Sequence, residues 1–352
     1  MGGPSRIGGE VGTIGGGGVA FLQFFRAQGI VCFAQLYPAC FGGRGAGGHG
    51  SEQSVHAGVG GGRRVEIVVN IDGKICWGEE GRISVLDHGF LFGDSVYEVV
   101  RTRGGRLFCF PEHLERLRYS AEKIGLRLPL EGEGWRREIR AMLEWSGLEV
   151  DVYIRLIATR GVGELSLNPF SCVRPSYILI VAPLPVYPRR YYTEGCRVEL
   201  TGVVQPFYGG GGSNIKSGNY LHHVLALREA KRVGAVEGIM RNVEGYITEG
   251  STSNIFFVRG GILRTPALRC GILAGITRGL VLELAEGLGI ATEEVEVGVE
   301  DLFAAEEVFI TSTTKDIMPV GRIGERRWGV GPLTRRLMEA FEAGVERHLM
   351  EI

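Results

Sequence analysis

The amino-acid sequence predicts an α+β fold in two units, a small one followed by a larger, β-rich one that closes into a barrel-like form. Strand and helix patterns follow one another from Val65 to Ala182, and beyond a proline-rich break short strands outnumber helices as far as the C-terminus. Both units lie downstream of a stretch of different texture, because 20 of the 57 glycines fall within residues 1–62 of the 352-residue chain.

That stretch, residues 1–63, carries the runs Gly15–Gly18 and Gly60–Gly62 and no sustained period of 2 or 3.6. Glycine-rich chain loses much backbone entropy on ordering and has little side chain to bury, so an unstructured extension is expected. Its apolar segments, Val19–Phe25 and Gly29–Cys40, are separated by Arg26 and Gln28 and preceded only by Arg6 as positive charge. Neither reaches the ~20 residues that span a bilayer. No signal peptide or membrane anchor is expected, and the chain reads as cytoplasmic.

In the first unit, residues 64–182, the β-branched run Val65–Ile71 ends at Asp72-Gly73, a hairpin signal, with Lys74–Trp77 as the returning strand. Val96–Arg101 and Arg106–Phe110 repeat that pattern around Gly104-Gly105. Pro111 opens a helix with Leu114, Leu117, Ala121 and Ile124 on one face, and a second helix spans Trp135–Trp145. The alternating segment Val152–Thr159 and the apolar segment Tyr177–Ala182 complete the unit as strands. Residues 183–189 are the linker, because Pro183, Pro185 and Pro188 each remove a backbone donor and disfavour helix in the residue before. The second unit, residues 190–352, reads as strand Cys196–Val204, helix Tyr220–Val233 and short strands at Gly238–Asn242, Tyr246–Thr248, Asn254–Val258 and Gly261–Arg264. A helix at Thr277–Leu288, a strand at Glu307–Thr311 and a helix over Pro332–Leu349 follow.

With 39 Lys and Arg against 40 Asp and Glu, the net charge of −1 gives no electrostatic basis for a nucleic-acid or acidic-membrane partner. The seven cysteines are irregularly spaced without a CxxC, which argues against a disulfide framework or a metal site and for free thiols.

Four segments call for a chemical account. Lys216 lies in Ser213-Asn214-Ile215-Lys216-Ser217, between a glycine run and a helix and with no acid beside it, where a partly desolvated amine can act as a Schiff-base nucleophile. Glu249 stands at a strand end before the hydroxyl-rich turn Ser251-Thr252-Ser253-Asn254. Gly275-Ile276-Thr277-Arg278 opens a helix whose free N–H groups form a natural phosphate seat. Thr311-Ser312-Thr313-Thr314 ends a strand with four hydroxyls. Singly these read as a solvated lysine, a capped turn, a threonine N-cap and a strand-end turn. Jointly they supply an imine partner, a carboxylate for a protonated ring nitrogen and a phosphate cup, which is what pyridoxal phosphate requires.

In order and spelling these motifs, with Asp87-His88-Gly89-Phe90-Leu91-Phe92-Gly93-Asp94-Ser95-Val96-Tyr97-Glu98, His113-Leu114-Glu115-Arg116-Leu117 and Tyr153-Ile154-Arg155, resemble the class IV, fold-type IV, pyridoxal-phosphate aminotransferases. That family includes branched-chain aminotransferases, D-amino acid aminotransferases and aminodeoxychorismate lyase. The resemblance runs from about Val65 to the C-terminus. It implies that Lys216 bonds the cofactor and moves the substrate proton, that Glu249 pairs with the pyridine nitrogen, and that Arg116, Ile276, Thr277, Ser312 and Thr313 hold the phosphate, with Tyr220 near the cofactor oxygen. It also implies a substrate pocket of Phe92, Tyr97, Tyr153, Arg155, Thr313 and Thr314. Leu165-Ser166-Leu167 stands where the D-amino acid enzymes carry a Pro-Arg-x-His element, so the resemblance favours a branched-chain amino-acid aminotransferase acting on amino acids and 2-oxo acids. It further implies at least a homodimer.

Overall fold

The structure, a computed structural model, describes residues 67–206 and 215–352. The expected extension over residues 1–63 and the run Gly209–Gly212 before Lys216 lie outside the described residues. Two hairpins begin the chain's first sheet. Strands β1 (Val68–Ile71) and β2 (Lys74–Trp77) turn through Asp72 and Gly73 at φ +49° and +92°. After a short helix α1 (His88–Phe92), strands β3 (Ser95–Arg103) and β4 (Arg106–Phe108) turn through Gly104 and Gly105 at +55° and +77°. Two successive left-handed residues give the turn whose twist matches that of paired strands, which is why Asp-Gly and Gly-Gly stand there.

Helices α2 (Phe110–Lys123) and α3 (Gly132–Ser146) then cover one face, and strands β5 (Val152–Thr159) and β6 (Ser176–Pro183) fill the middle of the sheet. Its order is β16-β4-β3-β5-β6-β1-β2 with every pair antiparallel, where β16 is the terminal strand Leu349–Met350. The period of 2 in β5 places Val152, Ile154, Leu156 and Ala158 in one core with Leu117, Trp135, Ile139 and Met142 of the helices. Each such side chain contributes roughly 1.5–3 kcal/mol relative to exposure. The opposite face carries Tyr153, Arg155 and Ile157, cross-strand from Arg101, Val99 and Tyr97 of β3. Polar and aromatic residues on that face are available for chemistry.

The second sheet is mixed. It comprises β7 (Cys196–Val204), β8 (Glu237–Arg241), β9 (Ile247–Gly250), β10 (Asn254–Arg259), β11 (Ile262–Pro266), β12 (Thr292–Val295), β13 (Glu307–Ser312), β14 (Asp316–Ile323) and β15 (Arg326–Arg327). The order is β12-β11-β10-β13-β14-β7-β8-β9, with β15 beside β14. Interspersed are helices α4 (Arg190–Thr193), α5 (Leu221–Arg232), α6 (Ile276–Gly287), α7 (Val299–Phe303) and α8 (Pro332–Gly344). One face buries Phe256, Leu263 and Phe309 with Val281 and Leu337 of α6 and α8, and the other buries Val198, Ile239, Ile255, Ile310 and Met318.

Beyond the short elements α1, α4, α7, β12 and β15, which were not expected, two segments near the C-terminus differ from expectation. The helix expected to run to Leu349 stops at Gly344, passes through a single tight turn at Val345–His348, and becomes β16, because pairing satisfies the β4 edge that a longer helix would leave open. Strand β14 was not expected from the sequence, since Pro319 and Gly321 interrupt it; Pro319 nonetheless lies opposite Phe309 in the ladder.

Candidate active site

Lys216 is fixed by its backbone before its side chain is considered. Its N–H donates to Ser120 Oγ on α2 at 3.2 Å, its carbonyl accepts from the Tyr97 N–H at 2.9 Å, and Ser217 bridges to Val96 on β3. The ammonium nitrogen lies 3.3 Å from the Tyr220 hydroxyl and 3.5 Å from that of Tyr97, and 4.4 Å from the Tyr97 ring centre. Its nearest polar partners are therefore two phenols and no carboxylate. Burial pushes the Tyr220 phenol well above its ordinary value, with the Tyr97 phenol and the Glu249 carboxylate acting in the same direction, so Tyr220 stays neutral. Tyr220 caps the start of α5 and stacks on His223 of that helix, ring centres 4.1 Å apart.

Glu249 lies in β9, buried, and all of its partners are neutral. Oε1 accepts from the Gln205 side-chain amide at 2.8 Å, and Oε2 accepts from the Leu273 N–H at 3.0 Å and from the Asn254 amide at 3.2 Å. Burial raises its pKa to about 7, against the lowering effect of the Leu273 and Gln205 bonds and of the more distant Lys216 and Arg116 charges. Asn254 also donates to the Leu273 carbonyl, tying β10 to the segment that leads into α6. A Cβ on Gly275 would sit 1.9 Å from Asn254 Oδ1, so only glycine lets the start of α6 approach this close.

Arg116 reaches that same helix start. Its Nη1 donates to the Ala274 carbonyl at 2.8 Å, immediately before Gly275, Ile276 and Thr277, whose helix end has no side-chain cap. Two further donors go to Glu98 of β3, Nε to Oε1 at 2.6 Å and Nη2 to Oε2 at 2.9 Å, which leaves a second hydrogen on each Nη, while His113 Nδ1 lies 2.7 Å from the same carboxylate. Burial would push the Glu98 carboxyl up, but Arg116 and His113 together hold it well below the usual carboxylate range. One guanidinium edge and the positive end of a twelve-residue helix thus converge, an arrangement suited to a phosphate.

The remaining expected residues lie in three places. Tyr97, Tyr153 and Arg155 share one face of the first sheet; the Arg155 guanidinium lies 3.9 Å from the Tyr97 ring centre, and burial raises the Tyr153 phenol with Arg155 opposing it. Phe92 ends α1, where its ring meets His88 edge-on at 5.0 Å. Ser312, Thr313 and Thr314 occupy the turn from β13 to β14, and the Thr313 carbonyl accepts from Arg101 at 3.4 Å. That turn is tied back to the site by Lys315, whose ammonium donates to Thr252 Oγ1 at 2.7 Å and pairs with buried Glu237 at 2.8 Å.

Sequence reasoning assigned no role to Gln205, Glu98 or His113. Gln205 precedes Pro206 in a segment with no pattern of its own. Glu98 did carry a signal: it alternates with Val96 and Val100, both wholly buried, so a carboxylate at that register demands a cationic partner.

Residues 95–323 match the family described as Amino-transferase class IV. A protein of Methanocaldococcus jannaschii provisionally named a branched-chain-amino-acid aminotransferase is 36% identical over 281 residues, covering 78% of this chain and 95% of that protein. The D-alanine aminotransferase of Staphylococcus aureus is also 36% identical, over 282 residues, covering 79% and 98%. Among solved structures, the branched-chain aminotransferase of Thermoproteus uzoniensis with norvaline superposes with a TM-score of 0.74 at 31% identity, covering 80% of this chain and 98% of that one. The T.th. branched-chain aminotransferase complexed with N-(5'-phosphopyridoxyl)-L-glutamate gives 0.73 at 29% identity, covering 81% and 98%. With the two-sheet α+β fold and the Lys216 site already in place, these likenesses establish that the chain belongs to the class IV aminotransferases and is a pyridoxal-phosphate-dependent transaminase of fold-type IV.

Proposed function

We propose that the protein is a branched-chain amino-acid aminotransferase that transfers the amino group of L-leucine, L-isoleucine or L-valine to 2-oxoglutarate in two half-reactions. The observation that carries this reading is the wall beside Lys216, where the Tyr97 ring contacts both the Lys216 ammonium and the Arg155 guanidinium. An aromatic wall accepts an aliphatic side chain, and an arginine at its edge accepts the second carboxylate of glutamate in the other half-reaction.

The residues fit the cofactor. Glu249 is a buried carboxylate without a cation of its own, and Gln205 Oε1, Thr248 Oγ1, Ser253 Oγ and Thr311 Oγ1, on the segments that carry the site, are buried oxygens without a hydrogen-bond partner. When bound, pyridoxal phosphate supplies the electron sink for the charge left on the substrate Cα. Glu249 would pair with its ring nitrogen, Arg116 with the N–H groups of Ile276 and Thr277 would hold its phosphate, and Ser312 and Thr313 would complete the cup. Lys216 Nζ would take the Cα proton and return it to the carbon two atoms along, a 1,3-shift, held for that task by the Tyr97 and Tyr220 hydroxyls. Phe92, Tyr153 and Thr314 would line the substrate side.

A second reading is a D-amino acid aminotransferase, favoured by the Staphylococcus aureus likeness. A coupled assay with 2-oxoglutarate as acceptor separates the two. The branched-chain reading expects turnover of L-leucine to exceed that of D-alanine, and the opposite ratio overturns it. In Lys216→Ala turnover falls by about 10⁴-fold and the visible absorbance of the cofactor-loaded enzyme is lost; an unchanged spectrum rejects the lysine assignment.

The proposal extends to assembly and place. Leu165, Leu167, Phe170 and Val173 are all exposed, the last two at 92% and 95%, in the loop between β5 and β6. An apolar loop of this kind is better covered, and we assign it to a homodimer contact, measurable by light scattering. No helix among the described residues is long and apolar enough to cross a membrane, in keeping with a cytoplasmic enzyme. We retain residues 64–182 and 190–352 as the two units, joined through residues 183–189.

A further inference from the structure

We propose that Cys109, Glu112 and His348 form a three-ligand site for a divalent cation of borderline softness, of which Zn²⁺ is the type. The site lies at the junction of α2 with the C-terminal strand, apart from the Lys216 machinery. The Cys109 sulfur, a Glu112 carboxylate oxygen and a His348 ring nitrogen all lie within 4.8 Å of one another. Tetrahedral coordination at ordinary Zn–S, Zn–N and Zn–O lengths needs separations of roughly 3.4–3.6 Å, so about 1 Å of side-chain adjustment completes the set.

The backbone places the ligands before any ion arrives. Phe108 lies opposite Leu349 in the β4–β16 ladder, and the pairing continues one step further, with the Cys109 N–H donating to the His348 carbonyl at 2.9 Å. Cys109 and His348 are therefore cross-strand neighbours. Glu112 follows Cys109 by three residues, one turn along α2 and on the same side of the helix. The His348 ring is set edge-on against Phe108, ring centres 6.3 Å apart. Sites built on strands and helices hold ligand geometry better than sites on loops.

Two further observations distinguish this cluster from a chance grouping. Cys109 adopts φ +52°, a left-handed conformation that glycine or asparagine takes easily and that costs other residues on the order of 1–3 kcal/mol. Turn geometry alone gives no reason for a cysteine there. In addition, Cys109 is wholly buried, and among the described residues none of the three side chains has a hydrogen-bond or ion-pair partner. A thiol, a carboxylate and an imidazole converge with nothing between them to satisfy. An entry route exists in the adjoining cleft of about 540 Å³, lined by Phe108, Glu283, Phe341 and His348, and water from it can take the fourth position. Binding would deprotonate Cys109, release that proton to solvent and clip the chain's end to the helix that carries Arg116. The spacing rules for zinc motifs miss the site because His348 lies in a different part of the sequence from the Cys109-x-x-Glu112 pair.

The test uses the full-length protein, treated with chelator, desalted and titrated with ZnCl₂ by calorimetry, and in parallel with Co²⁺ followed by visible absorbance. The expected result is one site per chain, weakened roughly 100-fold in Cys109→Ser and in His348→Gln and at least 10-fold in Glu112→Gln. The intense tetrahedral Co²⁺ bands appear in the wild type and vanish in Cys109→Ser. Glu112 is exposed and unpartnered, so Glu112→Gln keeps the fold and remains readable should the Cys109 variant fail to fold. No uptake by the wild type, or undiminished uptake in both Glu112→Gln and His348→Gln, overturns the proposal.

Discussion

Glu98 and Glu249 are both buried carboxylates, at 0% and 5% exposure, and both feel the charge of Arg116. Glu98 receives two bonds from that guanidinium and a third contact from His113, and is held ionised. Glu249 receives only neutral amides, and its pKa rises to about 7. A carboxylate whose countercharge is built into the chain is a structural part. One provided with hydrogen bonds but no cation can accept an external countercharge, the role we propose for Glu249 toward a protonated pyridine nitrogen. The contrast between closed and open pairs supports the proposed role of Glu249.

Breaking the closed pair should have the largest effect on stability. Glu98→Ala leaves Arg116 buried without its partner and costs about 3–5 kcal/mol, measured by urea unfolding; a loss under 1 kcal/mol would mean that the pair is solvated in solution. The open carboxylate behaves in the opposite sense with pH. Its folded pKa lies above the unfolded value near 4.5, so the folded state keeps a proton that the unfolded state has lost, and cofactor-free stability falls as pH rises from about 4.5 to 7. Glu98, depressed instead, contributes stability that is present above pH 4.5 and lost on acidification. Glu249→Gln in the cofactor-free protein should therefore remove the neutral-range slope and add about 3 kcal/mol at pH 8; an unchanged slope would assign the titration elsewhere.

Smaller changes sharpen the comparison. Gln205→Leu takes one donor from Glu249 and should cost about 1–3 kcal/mol above pH 7, with less effect below pH 5, where the carboxyl of the folded state is already protonated. Equal losses at both pH values would make Gln205 a packing residue only. Tyr97→Phe keeps the ring against Arg155 and Lys216 but removes one hydroxyl from the lysine, and turnover should fall about 10-fold with unchanged unfolding midpoint.

Much of this was legible in the sequence where local pattern and tertiary role agree. The alternation in Val152–Thr159 fixed both a strand and its two faces, and Asp72-Gly73 and Gly104-Gly105 fixed two turns. Strand β14 was not legible, because Pro319 takes a ladder position against local propensity and Gly321 lies at a shift of register. In the site, Lys216, Glu249 and Arg116 could be singled out by type and motif. The Gln205–Glu249 and Glu98–Arg116 bonds could not, since each joins residues from different elements and only folding brings them together.

The placement of β16 bears on how the protein is made. Leu349 and Met350 form the outer edge of a sheet whose other strands lie between Val68 and Pro183, and Arg140 of α3 donates to the carbonyl of the final residue, Ile352. A ribosome releases these residues only after every other strand of that sheet and all of the second sheet, so until then β4 presents an open edge that other nascent chains could pair with. Completion of the first sheet must therefore wait until the whole of the second has been synthesised.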